Sequence, residues 1–270
     1  MDRFRIVGPT RLVGSVRASG AKNAALPDLA ASLLTDAPIH FRRVPRVRDI
    51  RTMLTLLEHL GISHREDGDF LVLERSAPAS IEAPYDLVKT MRAGVLVLGP
   101  LLARYGHARV SLPGGCAIGV RPIDQHLKGL EALGAEVHLE HGYVEARAKK
   151  LVGTRFRFDM PTVTGTENLL MAACFAKGTT RFENCAREPE VVDLAKLLSA
   201  MGARISGAGD EVIEVEGVHE LCAAEHAVTS DRIEGGTYLI GAALTQGDVT
   251  LEDADPAALG PLLDQLSAIG

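Results

Sequence analysis

Tryptophan is missing from this 270-residue sequence, and aromatic residues amount to only 4%. A core must therefore be packed from Leu, Val, Ile and Ala, and with 46% apolar residues there is enough material for one. Long apolar runs are also missing: none reaches the ~20 residues needed to cross a bilayer as a helix. Met1-Asp2-Arg3-Phe4-Arg5 leads directly into a strand-like segment without a signal-type apolar stretch. These absences predict a soluble, cytoplasmic protein with no membrane insertion. Cysteine pairs are lacking as well. Cys116, Cys174, Cys185 and Cys222 form no CxxC motif, and no histidines cluster at ligand spacing. That argues against a zinc site and for free thiols. No basic stripe interleaved with aromatics is present and the net charge is −6, so nucleic acid is not an expected partner. An acidic chain can still bind an anionic small molecule where a few cations converge.

What is present is a repeat. Four segments share one grammar: an apolar helix-like stretch, a turn, a short strand, an Asp- or Pro-marked helix start, and a helix ending at an apolar-x-Gly. The endings fall at Gly61, Gly134, Gly202 and Gly270, at intervals of 73, 68 and 68 residues. After the first three glycines, alternating arms around Gly-containing turns predict hairpins over 62–74, 135–146 and 203–216. The unit is therefore α-β-α-β-β, and the fold class is α/β. The pattern predicts one complete three-unit domain over residues 22–229. Residues 1–21 and 230–270 would belong to a second, incomplete domain in which Val13–Arg17 pairs with segments after residue 230. The fourth copy stops just before its hairpin is due, so the chain is expected to be an N-terminal fragment of a longer protein.

The second copy is the longest between its first turn and its terminal glycine. Its extra residues lie in Leu112-Pro113-Gly114-Gly115-Cys116-Ala117-Ile118-Gly119-Val120. Three glycines and a proline predict an exposed loop. Arg121 and a helix start near Asp124 favour the thiolate of Cys116, the reactive form; the bland alternative is a loop cysteine of no consequence. Cys174, in an apolar helical run, reads as a buried small hydrophobe, and Cys185 and Cys222 read as structural. Ser19-Gly20-Ala21-Lys22-Asn23-Ala24-Ala25-Leu26-Pro27 places an ammonium and free N–H groups at a helix start, which suits an anion but is common among helices. Lys89 and Arg92 are three residues apart and predicted to share a helix face, where solvated charge is the ordinary reading. Asp231-Arg232-Ile233-Glu234-Gly235-Gly236 reads equally as hinge or as chemistry.

Taken together, Ser19–Pro27, Ala83–Arg92 (APYDLVKTMR), Ser111–Gly119 (SLPGGCAIG), Arg121-Pro122-Ile123-Asp124, Ala186–Glu190 and Asp231–Glu234 resemble the UDP-N-acetylglucosamine 1-carboxyvinyltransferases, the MurA family of enolpyruvyl transferases. The likeness runs in order across essentially the whole chain. It implies an inside-out α/β barrel: two domains of three repeated units each, closing around the substrates. It implies transfer of the enolpyruvyl group of phosphoenolpyruvate to the 3-hydroxyl of UDP-N-acetylglucosamine, the first committed step of peptidoglycan synthesis, without metal or organic cofactor. By the same resemblance, Cys116 matches the fosfomycin-alkylated loop cysteine, usually described as a proton donor. Lys22 and Asn23 match contacts to phosphoenolpyruvate, and Arg92 matches a substrate-contacting arginine. Arg121, Pro122, Ile123, Asp124 and Gln125 match the segment that holds the UDP-sugar, and Val163-Thr164-Gly165 matches a nucleotide-contacting turn. The family's aspartate base and further arginines lie in a C-terminal third that this chain does not include, so the chain alone is expected to turn over little or not at all. The alternatives are a catalytically silent UDP-sugar-binding paralogue and the sibling transferase acting on shikimate 3-phosphate, which lacks a PGGC loop.

Overall fold

The apolar periodicity of the repeats resolves into the same order of elements three times. The computed structural model describes residues 3, 5, 7, 8, 10–77, 80–89, 91–112 and 123–269. β1 (Val13–Arg17) comes first. The first copy then runs α1 (Lys22–Ala31), a 3-10 turn at Ser32–Leu34, β2 (Ile39–Arg42), α2 (Arg48–His59), β3 (Ile62–Asp67) and β4 (Phe70–Arg75). The second opens with β5 (Glu82–Ala83) and α3 (Tyr85–Val88). A 3-10 segment, Arg92–Val97, runs into α4 (Leu98–Tyr105), followed by β6 (His107–Ser111), α5 (Asp124–Ala132), β7 (Glu136–Glu140) and β8 (Tyr143–Arg147). The third has β9 (Arg155–Arg157), α6 (Val163–Ala173), β10 (Thr179–Glu183), α7 (Pro189–Ala200), β11 (Arg204–Ser206) and β12 (Val212–Glu216). β13 (Ala224–Ala227), α8 (Arg232–Leu244), β14 (Asp248–Glu252) and α9 (Gly260–Ile269) close the chain.

Contacts divide the chain into two compact units, Lys22–Val228 and Met1–Ala21 with Thr229–Gly270. The first holds three four-stranded sheets, ordered β13-β2-β4-β3, β5-β6-β8-β7 and β9-β10-β12-β11. In each, a hairpin pairs antiparallel with the strand after the copy's first long helix, for example Asp67 opposite Phe70 and Ile39 opposite Leu73. A short linking strand adds in parallel on the other edge. β13 comes from the end of the third copy to pair with β2 of the first, Ala224 opposite Ile39, so the three copies close a cycle. In the second unit β1 pairs in parallel with β14, Val13 opposite Asp248.

The first long helix of each copy is buried on every side over most of its length: Ala24–Ala31 in α1, Leu98–Leu102 in α4 and 165–173 in α6. A stretch that turns no face to solvent can only be stable inside a core. The second helices are amphipathic. α2 buries Ile50, Met53, Leu56 and Leu57 at helical spacing and turns Arg51 and Glu58 outward. Each fully buried leucine contributes about 1.5–3 kcal/mol relative to exposure. Gly61, Gly134 and Gly202 end these helices at φ of 90°, 94° and 107°, a left-handed cap that only glycine adopts without cost. The caps close with Ala135 N–H donating to Leu130 O and Ala203 N–H donating to Leu198 O.

One expectation needs correction. Lys89 and Arg92 do not share a helix face, because α3 ends at Val88 and Met91 is extended (φ −137°, ψ 107°) before the 3-10 segment begins at Arg92. The last helix starts at Gly260, because 256–259 form turns.

Candidate functional site

The head of α1 is set by the strand that returns beside it. Gly20 and Ser230 form an antiparallel bridge, and Ala21 N–H donates to Thr229 O at 2.8 Å. Lys22 follows as the first residue of α1. Its Nζ lies 3.0 Å from Asp49 Oδ2, in the first turn of α2, and both side chains are partly exposed. Asn23 is exposed, whereas every residue from Ala24 to Ala31 is buried. The ammonium and the first N–H groups of the helix therefore stand at its accessible end, the arrangement that holds phosphates and carboxylates. Arg92, half-buried, opens the 3-10 segment that packs against both α1 and α2. Lys89 instead pairs with Asp86 at 2.6 Å.

Cys116, Arg121 and Pro122 lie outside the described residues. The chain leads up to them from Ser111 and Leu112, the latter donating its N–H to Gly142 O at 2.8 Å. It resumes at Ile123, half-buried, and at Asp124, exposed at the head of α5. Gln125 is 4% exposed, and both ends of its amide are engaged. Its Oε1 accepts from Asp159 N–H at 2.9 Å, and its Nε2 donates to Asp159 Oδ2 at 2.9 Å. Hydrogen bonding from Lys128 and then Gln125 holds the Asp159 carboxyl below its ordinary range. Gln125 therefore anchors the start of α5 on the segment leading to α6. α5 packs on α6, and α6 packs on α1 and on the Arg92–Val97 segment. Lys22, Asn23 and Arg92 are thus on directly touching elements, and 123–125 join them through α6.

At the head of α6, Thr162 caps by accepting from Gly165 N–H at 3.3 Å, and Thr164 Oγ1 lies 3.3 Å from His126 Nε2. Val163-Thr164-Gly165 is thus held by capping and by a buried imidazole. A cleft of about 840 Å³ lies elsewhere in this unit, lined by Leu34, Arg104, Lys149, Lys150, His219 and Cys222 among others. It sits at the far ends of α1 and α4. At a rise of 1.5 Å per residue, Leu34 is about 18 Å along the helix from Lys22.

Sequence reading missed the buried polar groups that organise this core. Asn168 is fully buried. It accepts from Gly99 N–H at 2.7 Å and donates to Val95 O at 3.1 Å and His126 Nδ1 at 2.9 Å. The backbone approach needs glycine, since a Cβ at residue 99 would stand 2.3 Å from Asn168 Oδ1. Burial pushes the His126 imidazolium down to about 4, against a small opposing effect of Asp124. Burial, then the charges of Asp28, Glu190 and Glu188, raise Glu167 well above the carboxylate range. Asp28, Asp193 and His226 form a further buried group. The available signal was a polar letter inside an apolar run, such as Asp28 within Leu26–Leu34. Cys174 is buried as expected, its thiol pushed up to about 12 by burial, and Cys185 is buried; Cys222 is exposed.

Comparison with known proteins places this arrangement. The family described as EPSP synthase (3-phosphoshikimate 1-carboxyvinyltransferase) matches residues 6–270. The chain belongs to this family. Within the family it is 55% identical over 273 residues to the UDP-N-acetylglucosamine 1-carboxyvinyltransferase of a Psychrobacter species, covering all of this chain and 63% of that protein. The chain thus spans less than two thirds of the length of that curated relative. The enolpyruvyl transferase NikO of Streptomyces tendae has the same fold, with a TM-score of 0.83 at 24% identity, covering 96% of this chain and 63% of that one. EPSP synthase of Acinetobacter baumannii matches with a TM-score of 0.71 at 21% identity, over 92% of this chain and 57% of that one.

Proposed function

We propose that the protein to which this chain belongs transfers the enolpyruvyl group of phosphoenolpyruvate to the 3-hydroxyl of UDP-N-acetylglucosamine, releasing phosphate, as a cytoplasmic step of peptidoglycan synthesis. The observation that carries this is the 55% identity over the whole chain to a transferase of that name. The head of α1 adds support from physical chemistry: Lys22 and free helix N–H groups suit the carboxylate or phosphate of phosphoenolpyruvate. In this reading Lys22, Asn23 and Arg92 hold phosphoenolpyruvate, and Arg121 through Gln125 hold the UDP-sugar. Cys116, on its Gly-rich loop, supplies the proton to the methylene carbon and is the site of fosfomycin alkylation. The sugar hydroxyl gives up its proton as it attacks the adjacent carbon; phosphate then leaves from the tetrahedral intermediate while the new methyl group loses a proton, which restores the enol double bond, and the cations offset the charge. Residues 22–229 form one domain of an inside-out α/β barrel, with α1, α4 and α6 inside and the sheets outside. Residues 1–21 and 230–270 form part of the other.

The test is phosphate release from phosphoenolpyruvate by protein of the relatives' full length. With UDP-N-acetylglucosamine as acceptor, Lys22→Ala should lower kcat/KM by about 100-fold or more, the scale of losing one preorganised charge contact. Release driven by shikimate 3-phosphate and not by the UDP-sugar would overturn the assignment, as would full activity in the Lys22 variant.

A further inference from the structure

One buried cluster has no part in the site above. Asp28 of α1, Asp193 of α7 and His226 of β13 are 0%, 4% and 9% exposed. His226 Nε2 lies 3.4 Å from Asp28 Oδ2 and 3.2 Å from Asp193 Oδ2. One ligand atom from each residue falls within 4.8 Å of the other two. These are ion-pair distances, yet among the described residues neither Asp28 oxygen and not the His226 Nε2 has a partner that meets strict hydrogen-bond geometry. A fully buried carboxylate without a donor on either oxygen is costly and needs a compensating partner.

Two arrangements could supply one. In the first, an imidazolium is shared between the two carboxylates, for which burial of His226 is outweighed by hydrogen bonding and charge from Asp193 and Asp28. That leaves a net negative charge inside the core, with the Glu167 carboxyl close enough to feel Asp28. In the second, a dication and a neutral imidazole bring the two carboxylates to electrical neutrality. The orphaned atoms favour the second, because a shared imidazolium would hydrogen-bond at least one carboxylate and neither Asp28 oxygen has such a partner among the described residues. Tetrahedral ligands about 2.0–2.2 Å from zinc stand about 3.3–3.5 Å apart, which is close to where Nε2 stands from both oxygens.

We propose that Asp28, Asp193 and His226 form a site for one divalent transition-metal cation, with Zn²⁺ the best match, tying α1, α7 and β13 together inside the core. One imidazole and two carboxylates are a donor set that Zn²⁺ and Co²⁺ share, with solvent as a fourth ligand. The cation has no role in the chemistry at Lys22, so the proposal does not depend on the transferase reading.

The 270-residue chain, stripped with a chelator and dialysed, should take up one Zn²⁺ per chain and melt at a higher temperature with Zn²⁺ than without. With Co²⁺ in place of Zn²⁺, the unmodified chain should show the intense visible bands of four-coordinate cobalt and no thiolate-to-cobalt charge-transfer band, which excludes Cys185 and Cys222. Asp28→Asn and His226→Gln should each weaken Zn²⁺ binding by at least tenfold, and Cys222→Ser should leave it unchanged. A chain that binds neither metal stoichiometrically holds an imidazolium between two carboxylates and overturns the proposal. So does a six-coordinate or thiolate-type cobalt spectrum, which needs no variant to fold. Unchanged Zn²⁺ affinity in His226→Gln has the same consequence.

Discussion

Acidification should withdraw stability from the Lys22–Val228 unit at one imidazole. Asn168 Nδ2 donates to His126 Nδ1 at 2.9 Å, so that nitrogen must keep its lone pair, and the proton sits on Nε2 facing Thr164 Oγ1 at 3.3 Å. Protonating Nδ1 would set two donors against each other in a pocket where the ring is 2% exposed. Burial lowers the folded value from 6.5 to about 4. At ~1.4 kcal/mol for each tenfold change in proton affinity, that difference is about 3 kcal/mol. Because the folded value lies below the unfolded one, the stability is fully present above pH 6.5 and is lost as pH falls through about 4.

Asp28, which burial raises to about 7, and Glu167, raised well above its usual range, act with the opposite sign. Their folded forms take up protons more readily, so acidification stabilises through them. Both remain in a His126→Gln variant and cancel in the comparison. Urea midpoints followed by far-ultraviolet circular dichroism from pH 7 to pH 4 should therefore drop for the unaltered chain relative to His126→Gln, whichever way the shared carboxyls move both. The two stability curves should differ by about 3 kcal/mol across that range. An imidazole titration by nuclear magnetic resonance should show His126 still neutral at pH 5. Equal slopes for the two proteins, or a His126 resonance titrating near 6.5, would refute the tautomer and the burial argument together.

Two further outcomes follow from the same core. Gly99→Ala forces a Cβ to within 2.3 Å of Asn168 Oδ1 and 2.4 Å of its carbonyl oxygen. It should lower the stability of the Lys22–Val228 unit by about 1–3 kcal/mol in urea titration, and an unchanged midpoint would show that the helices separate freely. Thiol labelling with iodoacetamide at pH 8, read by mass spectrometry, should modify exposed Cys222 along with Cys116, the thiol that the proposed function makes reactive. It should leave Cys174, buried and pushed up to about 12, untouched until the chain is unfolded.

The repeat grammar was legible because its signals are local. A largely apolar helix, a Gly at positive φ and an alternating hairpin each declare themselves within a dozen residues, and the hairpins formed over the expected segments. The linking strands were not legible. Glu82–Ala83, Arg155–Arg157 and Ala224–Ala227 are two to four residues long, too short for alternation to register, and their partners are set by tertiary closure. The break at Met91 was invisible for a related reason: spacing alone put Lys89 and Arg92 on one face, and only an extended residue between two short helices separates them. The Asp28, Asp193 and His226 group joins positions that no motif spacing connects, so sequence could flag only the oddity of an acid inside an apolar helix. Asp231 was ambiguous between hinge and chemistry. Its Oδ1 accepts from Ile233 N–H and Glu234 N–H at 2.8 and 3.0 Å, the bonds of an N-cap.

The position of Lys22 follows from which strands pair. Within the second and third copies, the strand before the buried helix pairs in parallel with the strand after it: β5 with β6 around α4, and β9 with β10 around α6. At the two places where the chain passes between units, this rule is broken reciprocally. β1 precedes α1, yet β2 takes β13; β13 precedes α8, yet β14 takes β1. The residues left at the exchange are tied by the Gly20–Ser230 bridge, by Ala21 N–H to Thr229 O, and by Asp231 N–H to Ser19 O at 2.8 Å. The backbone entering α1 is therefore held by a returning strand instead of hanging from a loop. A cation whose backbone is already ordered loses little further freedom on meeting an anion.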